Sequence, residues 1–550
     1  MEESKEMVRK KLRYEEVKYL RVGIEDELRD IQRYVEPLKT NFDLNSPQFG
    51  SSRNQDTERG VYDDTAVWAN QMYANGMTAL VIPRANRFSY LKPQGIPSSA
   101  LSDEELIFLE RLSERVEHEY SLPECHFYSV GHEVFSGLGS FGTAVVYERR
   151  EGKTYSLKSC ALADAFFDLS DEDEPDTMFY RKYMRTKSVV QKFPHVVHMD
   201  GFNAKDGNTM WEIVYSVEPS QDIRARKGGS IGSERPYITS YFAPNLKEPL
   251  MEGGMGFFPF HVARWAKVAG ETMGRGCAST CLRKIRVLNK MVKESLKSAE
   301  LSNAPPITAE SDSLILPVSY GARQLWLREA GSPAPEPLNS GSQPQATLEW
   351  IQAYQADIKR AFFVDMILRE QKKERQSVLE LTDERGQMLQ QLGPLITRFE
   401  EEYLDKVIEN TIDFLEAKRD PVFDEIPESL SEATLEIVYT SPAAQAQYST
   451  GIANMASFLQ DMAPIMQAKP EIFTDNIDDN EWLNIHGRMR NVPRAVFRSK
   501  KDVIKLREGR EQAEAQNQQT EQLGQVPGAL KDIASARATD PEGIGQLLNI

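Results

Sequence analysis

Residues 272–301, TMGRGCASTCLRKIRVLNKMVKESLKSAEL, gather positive charge in a chain of net charge −17. Arg283, Arg286, Lys290, Lys293 and Lys297 step by three and four, the spacing that puts side chains on one helical face. Glu294 is the only acid against seven basic residues between Arg275 and Lys297. Leu282, Ile285, Val292 and Leu296 form an apolar stripe about a third of a turn away. A helix of this kind, roughly 45 Å long at 1.5 Å per residue, can line a polyanion, because lysine and arginine meet phosphates without reading sequence. The same stripe also fits a solvated face, or pairing with acids such as Asp357 across a helix interface.

Other patterns that could carry chemistry lack the context it needs. Gly137, Gly139 and Gly142 spell G-x-G-x-x-G, but a helical stretch precedes them and a strand follows, the reverse of a dinucleotide site. A tight helix-to-strand turn is the better reading. Gly228, Ser230 and Gly232 spell G-x-S-x-G, but Arg224-Ala225-Arg226-Lys227 is not the buried strand that a nucleophile elbow requires. His126, His132, His195 and His198 occur without H-E-x-x-H, and read as packing or surface residues. The acidic run Asp168–Asp176 lacks the glycine and terminal glutamate of a calcium loop, and reads as a solvated turn between strands. No phosphate-binding G-x-x-x-x-G-K-[ST] is present, so a P-loop motor is not expected. No active site, metal site or cofactor is expected.

The elements that position these residues follow from composition and periodicity. The chain has 550 residues, enough for two to four structural units. An acidic isoelectric point near 5.2 argues against a conventional nucleic-acid binder, though not against local contact. Cys125, Cys160, Cys277 and Cys281 are too sparse for a zinc site and read as free thiols of a reducing compartment. The charged start, MEESKEMVRKKLRYEE, is not a signal peptide. No run of 18 apolar residues exists to cross a membrane as a helix. Val17, Leu20, Ile24, Leu28, Ile31 and Val35 predict one amphipathic helix over 5–36. Further helices are expected at 63–80, from Ser102-Asp103-Glu104-Glu105 onward, and at 126–138. From Thr143 the period changes to two, with TAVVYERR and TYSLKS around a turn and more strands to about 265. After the basic helix come a Pro- and Ser-rich stretch at 302–346, helical patterning from 347, and a charged break from Arg369 to Arg375. A helix over 378–418, bent at Gly393-Pro394, and a Gln-rich tail end the chain.

Six segments, taken in order over roughly 8–515, resemble the portal (head-to-tail connector) proteins of short-tailed bacteriophages. They are Arg59-Gly60-Val61-Tyr62-Asp63-Asp64-Thr65-Ala66 opening a helix; Leu80 to Phe88; FFPFHVARW; Gly270 to Gly276 with the long helix ending in Pro305-Pro306; Gly393-Pro394-Leu395 with Arg398 and Glu402; and Ser441-Pro442-Ala443-Ala444-Gln445-Ala446. Phe88-Ser89-Tyr90 departs conservatively where relatives often carry tryptophan. The resemblance implies an α+β portal fold: a mixed α/β wing, two long stem helices, a small α/β clip and a helical C-terminal crown, assembled as a ring of twelve. It implies a wing at 1–271, stem helix 1 at 272–301, a clip at 302–346, stem helix 2 at 347–366, a channel loop at 367–377, a further wing part at 378–440, and crown and tail at 441–550.

The implied function is a structural conduit and not an enzyme. It sits in the virion at one capsid vertex, is made in the host cytoplasm, and passes double-stranded DNA during packaging and ejection. The implied partners are the major capsid protein, the terminase packaging motor and the tail adaptor protein. Arg283, Arg286, Lys290, Lys293 and Lys297 become channel candidates, with at least Lys290 and Lys297 expected to face the axis rather than the stem exterior. Arg369, Lys372, Lys373 and Arg375 become candidates on a loop projecting into the channel. In the clip, Leu314, Ile315, Leu316, Leu325 and Trp326 form an apolar cluster among Pro and Ser, of the kind that marks partner contacts; Trp326 is the anchor candidate. The alternatives are a ring-forming tail or scaffold component without a DNA channel, and a nuclease or hydrolase with an unrecognised site.

Overall fold

The computed structural model describes residues 5–37, 60–96, 100–203, 207–220, 236–303, 344–368, 392–430 and 433–441, plus 307–308, 336–337 and scattered residues between 458 and 513. The chain forms two compact units. Met1–Leu91, Glu110–Ile426 and Leu435–Met455 make the first; Lys92–Leu109, Pro427–Thr434 and Ala456–Ile550 make the second.

The first unit opens with two helices, α1 (Lys5–Val22) and α2 (Glu25–Val35), where periodicity predicts one. The chain turns at Gly23-Ile24, with the Ile24 N–H donating to Arg21 O at 3.1 Å. Glycine there interrupts the helix because it favours helical backbone least after proline. Val17, Leu28, Ile31 and Val35 are buried as their spacing predicts, while Leu20 faces solvent. The following elements are α3 (Thr65–Val81), β1 (Ser89–Pro93), α4 (Asp103–Ser121) and α5 (Phe127–Ser140). In the second unit Ser102 caps the start of α4. Its hydroxyl accepts from Glu105 N at 3.3 Å, and the Glu105 carboxylate accepts from Ser102 N at 2.6 Å. That reciprocal pair is a capping box, at the helix start the sequence predicts.

Strands β2 (Thr143–Glu151) and β3 (Thr154–Cys160) form the predicted hairpin, and β9 (Phe260–Arg264) joins β2 on its other edge. A second, five-stranded sheet is antiparallel throughout, in the order β4 (Ala165–Leu169), β5 (Pro175–Arg185), β6 (Met210–Pro219), β7 (Tyr237–Phe242), β8 (Met251–Met255). A short helix, α6 (Thr186–Lys192), follows β5. Because strand side chains alternate faces, Phe179, Val214 and Phe242 share one face of this sheet. They cluster there with Met7, Tyr14 and Val17 of α1.

The basic helix α7 spans Cys277–Asn303, about 40 Å long. It begins five residues later than the sequence predicts. Before it the chain is held extended, with Ala266 and Arg275 exchanging backbone hydrogen bonds of 2.7 and 3.2 Å. Helix α8 (Pro344–Ala361) ends earlier than expected, because Phe363 takes a left-handed φ of 58° and starts a new short helix, α9 (Val364–Leu368). Residues 392–399 are helical, so Gly393-Pro394 lies within a helical run. The irregularity falls later, in a π-helical turn at Glu400–Leu404, before α10 (Asp405–Ala417). Strand β10 (Leu435–Tyr439) pairs with β1.

The base of α7 is fixed by a crossing of three glycines. Gly142, at φ 76°, ends the helix-to-strand turn after α5. A Cβ on Gly142 would lie 2.2 Å from Gly276 N and 2.6 Å from Gly274 O. A Cβ on Gly276 would lie 2.7 Å from Gly142 N, Leu138 O and Ser140 O alike. Thr143 Oγ1 accepts from Gly274 N at 2.9 Å, and Trp265 N donates to Gly142 O at 2.8 Å. Backbone cannot yield as a flexible side chain can, so Gly142→Ala is expected to cost about 4 kcal/mol or more. Gly152→Ala, at φ 57° but with nothing near its Cβ, is expected to cost only about 1–2 kcal/mol. Thermal unfolding of the two variants checks the order; equal shifts contradict the crossing.

Candidate functional site

Helices α7 and α8 pack antiparallel. Lys284, near the start of α7, meets Asp357, near the end of α8, at 2.6 Å. Leu282, Ile285 and Leu288 are buried beside Cys277, Ala278 and Cys281, as are Ile351 and Ile358 of α8. Burial pushes the Cys281 thiol up to about 12, so it stays protonated and inert. All four cysteines are free, as expected, and buried. Farther along, the apolar face loses its cover. Val292 is half-buried, and Leu296, Leu348 and Trp350 are 51, 53 and 62% exposed. The predicted apolar stripe therefore splits into a buried base and an open far end.

The five basic residues divide as well. Arg286 is ion-paired with Asp30 of α2. Lys293 lies over the Tyr62 ring at 5.4 Å. Lys297 pairs with Glu294 at 2.9 Å. That hydrogen bond first, with the charges of Lys297, Lys293 and Lys290 behind it, holds the Glu294 carboxyl below its ordinary range. Arg283 and Lys290 are exposed and form no ion pair among the described residues. Asp357 does take a basic partner across the helix interface, but that partner is Lys284 and not a member of the stripe. Arg369, Lys372, Lys373 and Arg375 lie outside the described residues, as do Leu314, Ile315, Leu316, Leu325 and Trp326.

Two polar anchors that the sequence reading missed hold the pair in place. Asn289 of α7 is buried. Its Oδ1 accepts from Tyr62 N at 2.7 Å and Asp63 N at 3.3 Å, and its Nδ2 donates to Gly60 O at 2.9 Å. Gln355 of α8 donates to Asp63 Oδ2 at 2.8 Å, while Asp63 Oδ1 accepts from Thr65 N at 3.0 Å and starts α3. The segment Gly60–Thr65 is thus clamped to both long helices. The only sequence signal for Asn289 is a polar residue immediately after Leu288 of the apolar face.

A second convergence joins two further segments of the ordered set. Arg264, at the end of β9, is buried. Its Nη2 donates to Glu402 Oε1 at 2.8 Å, and its Nε and backbone N donate to Glu402 Oε2 at 3.2 and 3.0 Å. Arg398, one helical turn before Glu402, donates to Trp265 O at 3.3 Å. Breaking a buried pair of this kind costs about 3–5 kcal/mol, because it strands a charge.

The remaining chemical patterns settle as structure. Gly137 and Gly139 lie in the last turn of α5, and Gly142 makes the predicted helix-to-strand turn before β2. The Asp168–Asp176 run is the β4–β5 turn, with Asp173 paired to Lys267 at 2.8 Å. His132 bonds Asn75 at 2.9 Å, and His195 contacts Leu250 O. Gly228, Ser230 and Gly232 lie outside the described residues. Among the described residues no cluster of His, Cys, Asp and Glu could hold a metal ion, and no helix is long and apolar enough to cross a membrane.

Known proteins are similar to this chain along most of its length. The profile of the family described as bacteriophage head to tail connecting protein matches residues 9–497. The portal protein of Salmonella phage epsilon15 is 24% identical over 559 aligned residues, covering 97% of this chain and 96% of that protein. A probable portal protein of Bordetella phage BPP-1 is 21% identical, covering 92% and 91%. Among solved structures, a chain from the virion of a native gene transfer agent particle aligns at a TM-score of 0.35 and 11% identity, over 81% of this chain and 96% of that one. That score is too low to carry an argument about the fold.

The Asn289 anchor has a direct test. Asn289→Ala leaves the Tyr62 and Asp63 N–H groups without their acceptor, and is expected to cost about 1–3 kcal/mol. A melting temperature equal to wild type would show that the clamp contributes nothing.

Proposed function

The chain belongs to the bacteriophage head-to-tail connecting protein family, and from that premise we propose that it is a portal. In this reading twelve copies form a ring at one capsid vertex, through which double-stranded DNA enters during packaging and leaves on infection. One observation of the molecule supports it most. The antiparallel α7–α8 pair leaves Leu296, Leu348 and Trp350 uncovered among the described residues. Apolar side chains left open on long helices are met most simply by the same helices of neighbouring copies. A ring contact of this type is heterologous and closes by rotation.

The parts take roles accordingly. Residues 272–301 and 347–366 form the stem, 302–346 the clip, 367–377 the channel loop, and 441–550 the crown and tail. Residues 1–271 with 378–440 form the wing. The clip would receive first the terminase motor and later the tail adaptor, with Trp326 as its anchor. The stem would pass through the major capsid protein shell. Arg283 and Lys290, exposed and without an ion pair among the described residues, suit weak phosphate contact better than Arg286, which is held by Asp30. Catalysis has no part in this function, since packaging energy comes from a separate ATPase.

Sedimentation and electron micrographs of the purified protein test the reading. Rings of many 62.4-kDa chains are expected, and monomers at every concentration and condition would refute it. Trp350→Ala is expected to weaken assembly, since full burial of a large apolar side chain contributes about 1.5–3 kcal/mol. Lys372→Ala with Lys373→Ala is expected to leave rings intact and reduce DNA packaging or retention; unchanged packaging would remove the loop from DNA contact.

A further inference from the structure

A second concentration of positive charge lies away from the helical pair. Arg149 of β2, Lys158 of β3, Lys182 of β5 and Lys192 of α6 come from four elements, and all are exposed. Arg149 pairs with its neighbour Glu151. Lys158, Lys182 and Lys192 form no ion pair among the described residues. Burial first, then the charge of Lys158, holds Lys182 below its ordinary range; burial, then Lys182 and Arg149, does the same to Lys192. The cations are therefore close enough to repel one another.

They surround a floor of tyrosines. Tyr180, Tyr215 and Tyr241 are cross-strand neighbours on β5, β6 and β7, on the sheet face opposite α1. The Tyr215 and Tyr241 rings stack at 4.4 Å, and Tyr147 of β2 meets Tyr215 edge-on at 6.1 Å. Lys192 Nζ sits 4.1 Å over the Tyr241 ring. Tyr147 is the register partner of Lys158. Arg149 lies two residues beyond Tyr147, and Lys182 two beyond Tyr180, so each shares its tyrosine's face. Burial raises the pKa of Tyr147, Tyr215 and Tyr241, and the Tyr215 hydroxyl donates to Met255 Sδ at 3.5 Å.

Three neighbouring lysines without carboxylate partners among the described residues, in a chain of net charge −17, fit a polyanion supplied from outside. The acidic β4–β5 turn of a second copy is the obvious protein candidate, but three of the six acids in Asp168–Asp176 are already paired within the chain. Asp168 pairs with Arg13 at 2.6 Å, Asp173 with Lys267 at 2.8 Å and Glu174 with Lys406 at 3.2 Å. A phosphodiester backbone fits better, because ammonium groups donate to phosphate oxygens without reading bases. We propose that the face formed by Arg149, Lys158, Lys182 and Lys192 over its tyrosine floor binds the backbone of double-stranded DNA, independently of sequence and apart from the helical pair. The choice of ligand rests on the portal reading.

The test uses the full-length protein and a short duplex in two unrelated sequences, with binding followed by fluorescence anisotropy across a salt series. Both duplexes are expected to bind alike. K158E/K182E/K192E is expected to weaken binding about tenfold or more and to flatten the salt dependence by about two to three units of slope, at about 0.9 per phosphate contact. The neutral K158Q/K182Q/K192Q variant is expected to lie between. Lysine acetylation of the unaltered protein needs no variant: duplex should shield Lys158, Lys182 and Lys192 but not Lys18, on the helix covering the opposite sheet face. Unchanged affinity, slope and labelling overturn the proposal. So does displacement of the duplex by polyglutamate at equal charge, which would point to an acidic protein segment. Sedimentation of the same samples reads ring formation separately, so intact rings with indifferent DNA binding reject this site and leave the portal reading standing.

Discussion

The approach of Gly142, Gly274 and Gly276 sets where α7 can start. Backbone meets backbone there, with Cβ positions 2.2–2.7 Å from main-chain atoms, a space that no other residue type leaves open. The crossing ties the end of α5, the start of β2 and the approach to α7 into one point. Because α8 packs against α7, the direction of both long helices follows from it. Side-chain packing higher up could shift by rotamer changes, but a main-chain crossing cannot.

The anchors around that point explain why distant parts of the sequence act together. Asn289 and Gln355 bind Gly60–Thr65 from two helices. Glu402 binds Arg264 from 138 residues farther along the chain. Each anchor answers main-chain donors or a buried charge that would otherwise be stranded. Four of the six segments that resemble the family in sequence supply these anchors. These anchors maintain one geometry rather than one chemistry.

Local signals were legible and non-local ones were not. The β2–β3 hairpin, the helix start at Ser102 and the helix-to-strand turn at Gly142 depend on neighbours in sequence, and each stands where the pattern puts it. The break at Gly23 was hidden because the apolar period runs on through it. The start of α7 was placed early because the glycines before it meet a partner more than 130 residues away in the chain. Strand β8, Met251–Met255, gives little strand signal with glycine at two of its five positions. The basic stripe was visible as charge, but Asp30, which takes Arg286, lies 256 residues earlier. The cluster of Arg149, Lys158, Lys182 and Lys192 exists only once three strands and a helix are assembled.

The central claim is that the α7–α8 pair, aimed by the glycine crossing, surrounds a passage for DNA. Electron cryomicroscopy of the purified assembly measures this most directly. The predicted map shows a closed ring in which each subunit's α7 and α8 line an open axial channel, with the glycine crossing at the base of the pair. A disc closed on its axis, or helical pairs lying at the periphery away from any opening, would contradict it.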